Sequence, residues 1–182
     1  MIRAYAVAIM ALAGPAAADP WIDYELVMAQ HADRVVTETL ADGTLLRTLD
    51  LDDGTRIRCT PDRCFGVNDS GAPACLLEMI ASTYVRAQAC PWSFATGNPS
   101  DLARRIETLG RHIAANAVPP RDWAVEGPVY MARIRERYDR PGICDISAGQ
   151  RFFLDHLASP AMDATIAAMT ATPRLPVLNP CL

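Results

Sequence analysis

The sequence predicts an α+β fold, with a small N-terminal antiparallel β-meander followed by a mostly helical, disulfide-stapled C-terminal part. Three observations predict it. Between residues 34 and 68, runs rich in β-branched residues alternate with short glycine-containing turns. From residue 74 onward, apolar residues recur every three or four positions, which is the period of a helix. All six cysteines lie at or beyond position 59, and their even number suits a set of disulfides.

The N-terminal segment has the three parts of a cleavable secretory signal. Arg3 supplies a positive charge, residues 4–13 are apolar, and the small residues at 16–18 permit cleavage after Ala18. The apolar run is shorter than the roughly 20 residues that span a bilayer, and no later stretch approaches that length. We therefore expect residues 1–18 to be removed. Residues 19–182 are then expected to form a single soluble domain in the periplasm or outside the cell, without insertion into a membrane.

The elements before and within the meander follow from apolar spacing and turn chemistry. A short helix is predicted over 20–31, because apolar residues fall at helical spacing and Pro20 suits a first helical position. In the third strand Thr55, Ile57 and Cys59 share one face, and the intervening arginines share the other. The strands are expected at 34–40, 44–51, 55–59 and 64–68, with turns at 41–43, 52–54 and 60–63.

Five helices are predicted after the meander. Segment 74–90 carries only two charged residues and is apolar almost all round, which is typical of a central, buried helix. Segment 99–117 carries an apolar stripe formed by Leu102, Ile106, Leu109 and Ile113. The other helices are expected at 127–139, at 147–158 with Phe153 and Leu157 on one face, and at 160–171 with Met162, Ile166 and Met169 in a row. The tail, 173–182, has three prolines and is expected to be extended.

Helix geometry narrows the pairing of the cysteines. Cys75 and Cys90 lie at opposite ends of one predicted helix, about 22 Å apart at 1.5 Å per residue. A disulfide tolerates a Cα separation of roughly 7 Å at most, so these two cannot bond to each other. Cys59 and Cys64 flank a predicted turn and are expected to pair. The remaining partners of Cys75 and Cys90, in either order, are Cys144 and Cys181.

Composition and missing motifs exclude several functions. The formal net charge is −4, and such a chain repels nucleic acid phosphates. All 17 basic residues are arginine, which indicates a GC-rich bacterial source and excludes a lysine Schiff base. Segment 50–54 resembles the opening of a calcium loop, but Thr55 and Pro61 stand where glycine and glutamate are needed. Glycine-rich phosphate loops, haem motifs and Cys-x-x-Cys are absent as well, so no cofactor and no metal are expected.

Few residue types remain as candidates for function. For catalysis they are the three histidines, none of which lies at metal-ligand spacing: His31, His112 and His156. For binding they are aromatic residues expected in loops, namely Trp92, Phe94 and Trp123, and a row of arginines on one helical face, namely Arg133, Arg137 and Arg140. Arginines in such a row can grip a carboxylate or phosphate through two hydrogen bonds.

We therefore expect an exported binding or protein-interaction module that recognises a protein partner or a small ligand and performs no catalysis. Two alternatives stay open. One is a periplasmic hydrolase that uses a histidine with a carboxylate partner. The other is a thiol–disulfide oxidoreductase, which the lack of a Cys-x-x-Cys motif disfavours.

Overall fold

The structure is a computed structural model that describes residues 20–90, 94–95, 97–138 and 141–179. It confirms the α+β fold, with a four-stranded antiparallel sheet followed by a helical majority. The predicted signal segment, 1–18, lies outside the described residues. The strands are β1 (Val36–Thr39), β2 (Leu45–Asp50), β3 (Thr55–Cys59) and β4 (Cys64–Asn68). The helices are α1 (Tyr24–Gln30), α2 (Pro73–Ala89), α3 (Pro99–Asn116), α4 (Trp123–Tyr138), α5 (Ala148–Ala158) and α6 (Ala161–Thr170).

The sheet is a meander in the order β1-β2-β3-β4, as the turn pattern predicts. Gly43 and Gly54 occupy the first two turns with φ of 85° and 83°, a backbone conformation that favours glycine. In β3 the side chains alternate as expected, with Thr55, Ile57 and Cys59 buried. This alternation turns one face of the sheet toward the core and leaves the arginine face in solvent.

Helix α1 begins four residues later than predicted from Pro20. Ile22 forms an isolated β-bridge with Val118. The amide of Val118 donates to the carbonyl of Trp21 at 2.9 Å, and the amide of Asp23 donates to the carbonyl of Val118 at 2.8 Å. The side chain of Asp23 then accepts a hydrogen bond of 3.0 Å from the amide of Leu26. This cap fixes the start of the helix, because it satisfies an amide that has no partner within the helix.

The core is one cluster of buried residues to which the sheet, the helices and the C-terminal tail all contribute. Helices α2 and α3 pack against each other within it. The predicted stripe of α3 is confirmed, since its four apolar side chains are all buried. Helix α2 is buried along most of its length, as its near-absence of charge predicts. The tail is extended, with Leu175 and Val177 buried, and the carbonyl of Asn179 accepts a hydrogen bond of 3.3 Å from Asn68 in β4. No helix among the described residues combines the length and the apolar character that a bilayer crossing requires.

Of the two helices α4 and α5, one departs from the prediction. Helix α4 starts at Trp123 and not at 127, because the side chain of Asp122 caps the amide of Ala124 at 2.9 Å and Pro128 is accommodated inside the helix. In α5, Phe153 and Leu157 lie on one face as predicted, since both line the same concavity. The buried residues of this helix are Leu154, Leu157 and Ala158. Phe153 is 39% exposed because it lies at the rim of the helix packing.

Two disulfides have both of their cysteines among the described residues. Cys59 pairs with Cys64 across the third turn, as predicted, with a Cα separation of 4.0 Å. Cys90 pairs with Cys144 at 5.5 Å, which ties the end of α2 to the loop before α5. Cys75 is also disulfide-bonded, and its bonding to Cys90 is excluded as expected. The predicted role of Cys181 lies outside the described residues.

Candidate functional site

The three candidate histidines lie on three different elements of the fold. His31 ends α1, His112 lies half-buried on α3, and His156 lies exposed on α5. Within the described residues, no imidazole nitrogen is hydrogen-bonded to a carboxylate, and the buried Nε2 of His112 has no partner. Burial of this ring, with a smaller effect of the nearby Arg174 charge, lowers the pKa of His112. His112 is therefore neutral at pH 7 and is held by packing.

The candidate tryptophan of α4 belongs to the core. Trp123 is 6% exposed and packs against Trp21 and Tyr130, with ring centroids 6.3 and 6.0 Å away. Its Nε1 donates a hydrogen bond of 2.9 Å to Glu107, and Gly110 lies directly against its ring. Of the other two candidate aromatics, Phe94 is half-buried against the core. Trp92 lies outside the described residues.

One member of the arginine row is already engaged in an ion pair. Arg137 forms an ion pair with Glu78 of α2, so its charge is already engaged. Arg133 is exposed and takes part in none of the ion pairs within the described residues. Arg140 lies outside them. A two-armed grip on an anion by Arg133 and Arg137 is therefore not formed, because one arm is held by α2.

A different arginine, Arg105 of α3, is fully buried. It is 1% exposed and donates three hydrogen bonds of 2.8 Å each, to Asp163 and to the carbonyls of Leu157 and Ser159. These bonds tie α3 to the junction between α5 and α6. Nothing in the local sequence indicates that Arg105 is buried, because its hydrogen-bond partners lie more than fifty residues away in the chain.

A largely apolar concavity lies between α2, α5 and α6. It has a volume of about 390 Å³, and three of the seven methionines line it. Its walls are formed by Gly71, Ala72, Cys75, Leu76, Met79, Phe153, Leu157, Met162 and Met169, and its polar lining residues are Asp69, His156 and Thr165. We call it the methionine pocket. A smaller concavity of about 250 Å³ on the exposed face of the sheet is dominated by charge, including the ion pair between Arg56 and Asp50 at 2.6 Å.

Helical spacing explains how the sequence builds the methionine pocket. Met162, Thr165 and Met169 are separated by three and four residues, so they lie on one face of α6. Opposite them, Met79 projects from α2. Gly71, with φ of 117°, permits the close approach of Met169, because a Cβ at this glycine would lie 2.6 Å from the methionine methyl group. The periodicity of α6 identifies these methionines as an apolar row, but not that part of the row faces a cavity.

The chemistry of the methionine pocket suits the capture of an apolar group. Thioether side chains are flexible and polarizable, so their walls can adapt to differently shaped ligands. Asp69, His156 and Thr165 are exposed and lie at the opening, where they can meet a polar end of a ligand. No family model, curated protein or solved structure matches this chain.

One group of side chains among the described residues has the spacing of a metal site, namely Glu25 with Cys59 and Cys64. The two sulfur atoms are bonded to each other, so neither is a thiolate that could bind a metal ion. The carboxylate of Glu25 is paired with Arg47, and the hydrogen bond from Arg47 lowers the pKa of Glu25. This group is therefore a structural element at the edge of the sheet.

Proposed function

We propose that this protein is an exported, disulfide-stapled domain that binds a small, largely apolar ligand in the methionine pocket. The observation that carries the proposal is the pocket itself, with three thioethers in its walls and three polar side chains at its opening. Its volume of about 390 Å³ falls in the range of 300–1,000 Å³ that is usual for small-molecule sites. The polar lining of Asp69, His156 and Thr165 favours a ligand with one hydrogen-bonding end.

Export is part of the proposal, and the disulfides support it. Such bonds persist in oxidising compartments and are rare in the cytosol. Mass spectrometry of the protein recovered from a Gram-negative host tests this step. The expected product begins at Asp19 and contains linked peptides for Cys59–Cys64 and Cys90–Cys144. A cytosolic product that begins at Met1 and reacts fully with a thiol reagent contradicts export.

Ligand capture is tested with the neutral fluorescent probe N-phenyl-1-naphthylamine, whose emission rises in apolar surroundings. The folded protein is expected to enhance the emission saturably. The variant Thr165→Trp places an indole at the opening and is expected to weaken probe binding by at least about tenfold. Ala164→Trp is the matched control, because Ala164 is exposed on the same helix but does not line the pocket. Equal binding by the two variants, or no enhancement at all, refutes the pocket as the site.

A hydrolase is the second candidate function, and one observation favours examining it. Asp69 and His156 both line the methionine pocket, so a carboxylate and an imidazole lie at the same opening. A general base needs a hydrogen-bonding partner that orients it, and His156 has none among the described residues. A panel of ester, amide, glycoside and phosphate substrates decides the matter. Turnover that disappears in His156→Gln establishes the hydrolase, and its absence leaves the binding domain.

A thiol–disulfide oxidoreductase is the third candidate, and its test is the accessibility of sulfur. No cysteine among the described residues is free. The binding domain requires that these bonds resist reduction by glutathione, since a structural disulfide has a low potential. Rapid labelling of Cys59 and Cys64 after mild reduction, with the fold retained, indicates a redox role instead.

A further inference from the structure

Helix α4 is apolar on both of its faces, although only one face is buried. Trp123, Gly127 and Ile134 turn toward the core. On the opposite side lies a second apolar row, and all of its members are exposed: Ala124, Val125, Pro128, Val129 and Ala132. Val125 is 66% exposed and Val129 is 48% exposed. We call this row the α4 stripe.

The α4 stripe needs an explanation, because a helix on the surface of a domain normally carries polar residues on its outer face. The five residues are separated by steps of one and three, so they form a continuous strip along about two and a half turns of the helix. Contiguous apolar strips on a surface mark sites of association more often than isolated apolar residues do. The strip therefore indicates a site of association.

We propose that the α4 stripe is a homodimer interface in which two copies of α4 pack antiparallel about a two-fold axis near Pro128. In this arrangement, residues equally distant from Pro128 face each other across the interface. Ala124 of one copy then lies opposite Ala132 of the other, and the reverse contact is identical by symmetry. Both residues are small, so the two helices can approach closely along the strip.

Charge complementarity favours a second copy over an unrelated partner. Asp122, at the start of α4, and Arg133, near its end, lie on the same flank of the α4 stripe. Asp122 is six residues before Pro128 and Arg133 is five after it, so the two-fold axis places each Asp122 beside the other copy's Arg133. Both side chains are exposed, and neither forms an ion pair among the described residues. The symmetric arrangement thus adds two ion pairs, one at each end of the antiparallel pair of helices.

Sedimentation velocity of the disulfide-bonded protein, from low to high micromolar concentration, tests the proposal. The wild type is expected to associate reversibly to twice its chain mass. Val129→Arg is expected to raise the dissociation constant by at least about tenfold. Val36→Arg is the matched control, because Val36 is 65% exposed on β1, far from α4 in sequence, and its replacement leaves the dimer intact. Circular dichroism confirms that both variants stay folded.

A charge-reversal variant and its salt dependence give a second test of the α4 interface. Arg133→Asp places like charges together and weakens the dimer, and high salt reduces the difference between this variant and the wild type. A monomeric wild type at every concentration overturns the proposal and leaves the α4 stripe to another partner. Dimerisation that Val36→Arg abolishes and Val129→Arg leaves unchanged also overturns it, because the sheet edge at β1 is then the interface.

Discussion

Replacement of Arg105 by methionine measures how much the buried guanidinium contributes to stability. Methionine preserves much of the apolar stem and removes all three donors. The carbonyls of Leu157 and Ser159 then lose their hydrogen bonds from this side chain, both of 2.8 Å, and Asp163 keeps only its contact with Arg104. The change therefore isolates the polar contribution of a single side chain that is 1% exposed.

The magnitude follows from the partners that are left behind. The Ser159 carbonyl keeps a hydrogen bond of 3.1 Å from the amide of Met162, so only the Leu157 carbonyl is left without a donor. A buried acceptor without a donor costs about 1–3 kcal/mol. Asp163 adds little, because its side chain is 41% exposed and water can replace the lost contact. We expect Arg105→Met to lower the free energy of unfolding by about 1–3 kcal/mol, the cost of one unsatisfied buried carbonyl.

The assay is urea denaturation at neutral pH with the disulfides intact. Arg104→Met is the matched control, since Arg104 bonds the same carboxylate but is 56% exposed. Its loss is expected to be about 0–1 kcal/mol. Arg105→Lys is expected to fall between the two, because an ammonium group cannot reproduce the planar fork of donors. A loss below about 1 kcal/mol for Arg105→Met, or equal losses for the two methionine variants, refutes this reasoning.

Three other changes follow from the same structure. Gly110→Ala is expected to destabilise by about 1–3 kcal/mol in a denaturation experiment, because the added methyl group overlaps the Trp123 ring. Removal of the Cys90–Cys144 bond by paired serine substitutions is expected to cost about 4 kcal/mol, against about 2 kcal/mol for the Cys59–Cys64 bond, since the first closes a separation of 54 residues and the second one of 5. The pKa of His112 in the folded protein lies below its ordinary value of 6.5. The titration of this buried imidazole therefore leaves stability unaffected above pH 6.5, and stability is lost as the pH falls, because the unfolded chain binds a proton more readily. Denaturation below pH 6.5 is therefore expected to be less pH-dependent in His112→Gln than in the wild type.

The sequence allows the sheet and the main helices to be predicted because their signals are local. Turn glycines, alternating burial in β3 and the apolar stripe of α3 each depend on residues close together in the chain. The start of α4 was misplaced, because the helix begins directly after the cap at Asp122, five residues before the predicted start at 127.

The candidate site was harder to predict, because it depends on which distant segments meet. Trp123 was expected in a binding loop, and its ring instead packs with Trp21, a contact between residues about a hundred positions apart. Met162 and Met169 were recognised only as an apolar row, since periodicity does not distinguish a helix face against the core from one beside a cavity. Arg105 carried no local signal at all, because its acceptors belong to another pair of helices.

Methyl resonances of the methionines test the claim of ligand binding most directly. In protein labelled with ¹³C at these methyl groups, titration with N-phenyl-1-naphthylamine is expected to shift the signals of Met79, Met162 and Met169, which line the pocket. The signals of Met28, buried beside the sheet, and Met131, on α4, are expected to stay in place. Shifts confined to Met131, or no shift at any methionine while the probe is bound, contradict the assignment of the methionine pocket as the binding site.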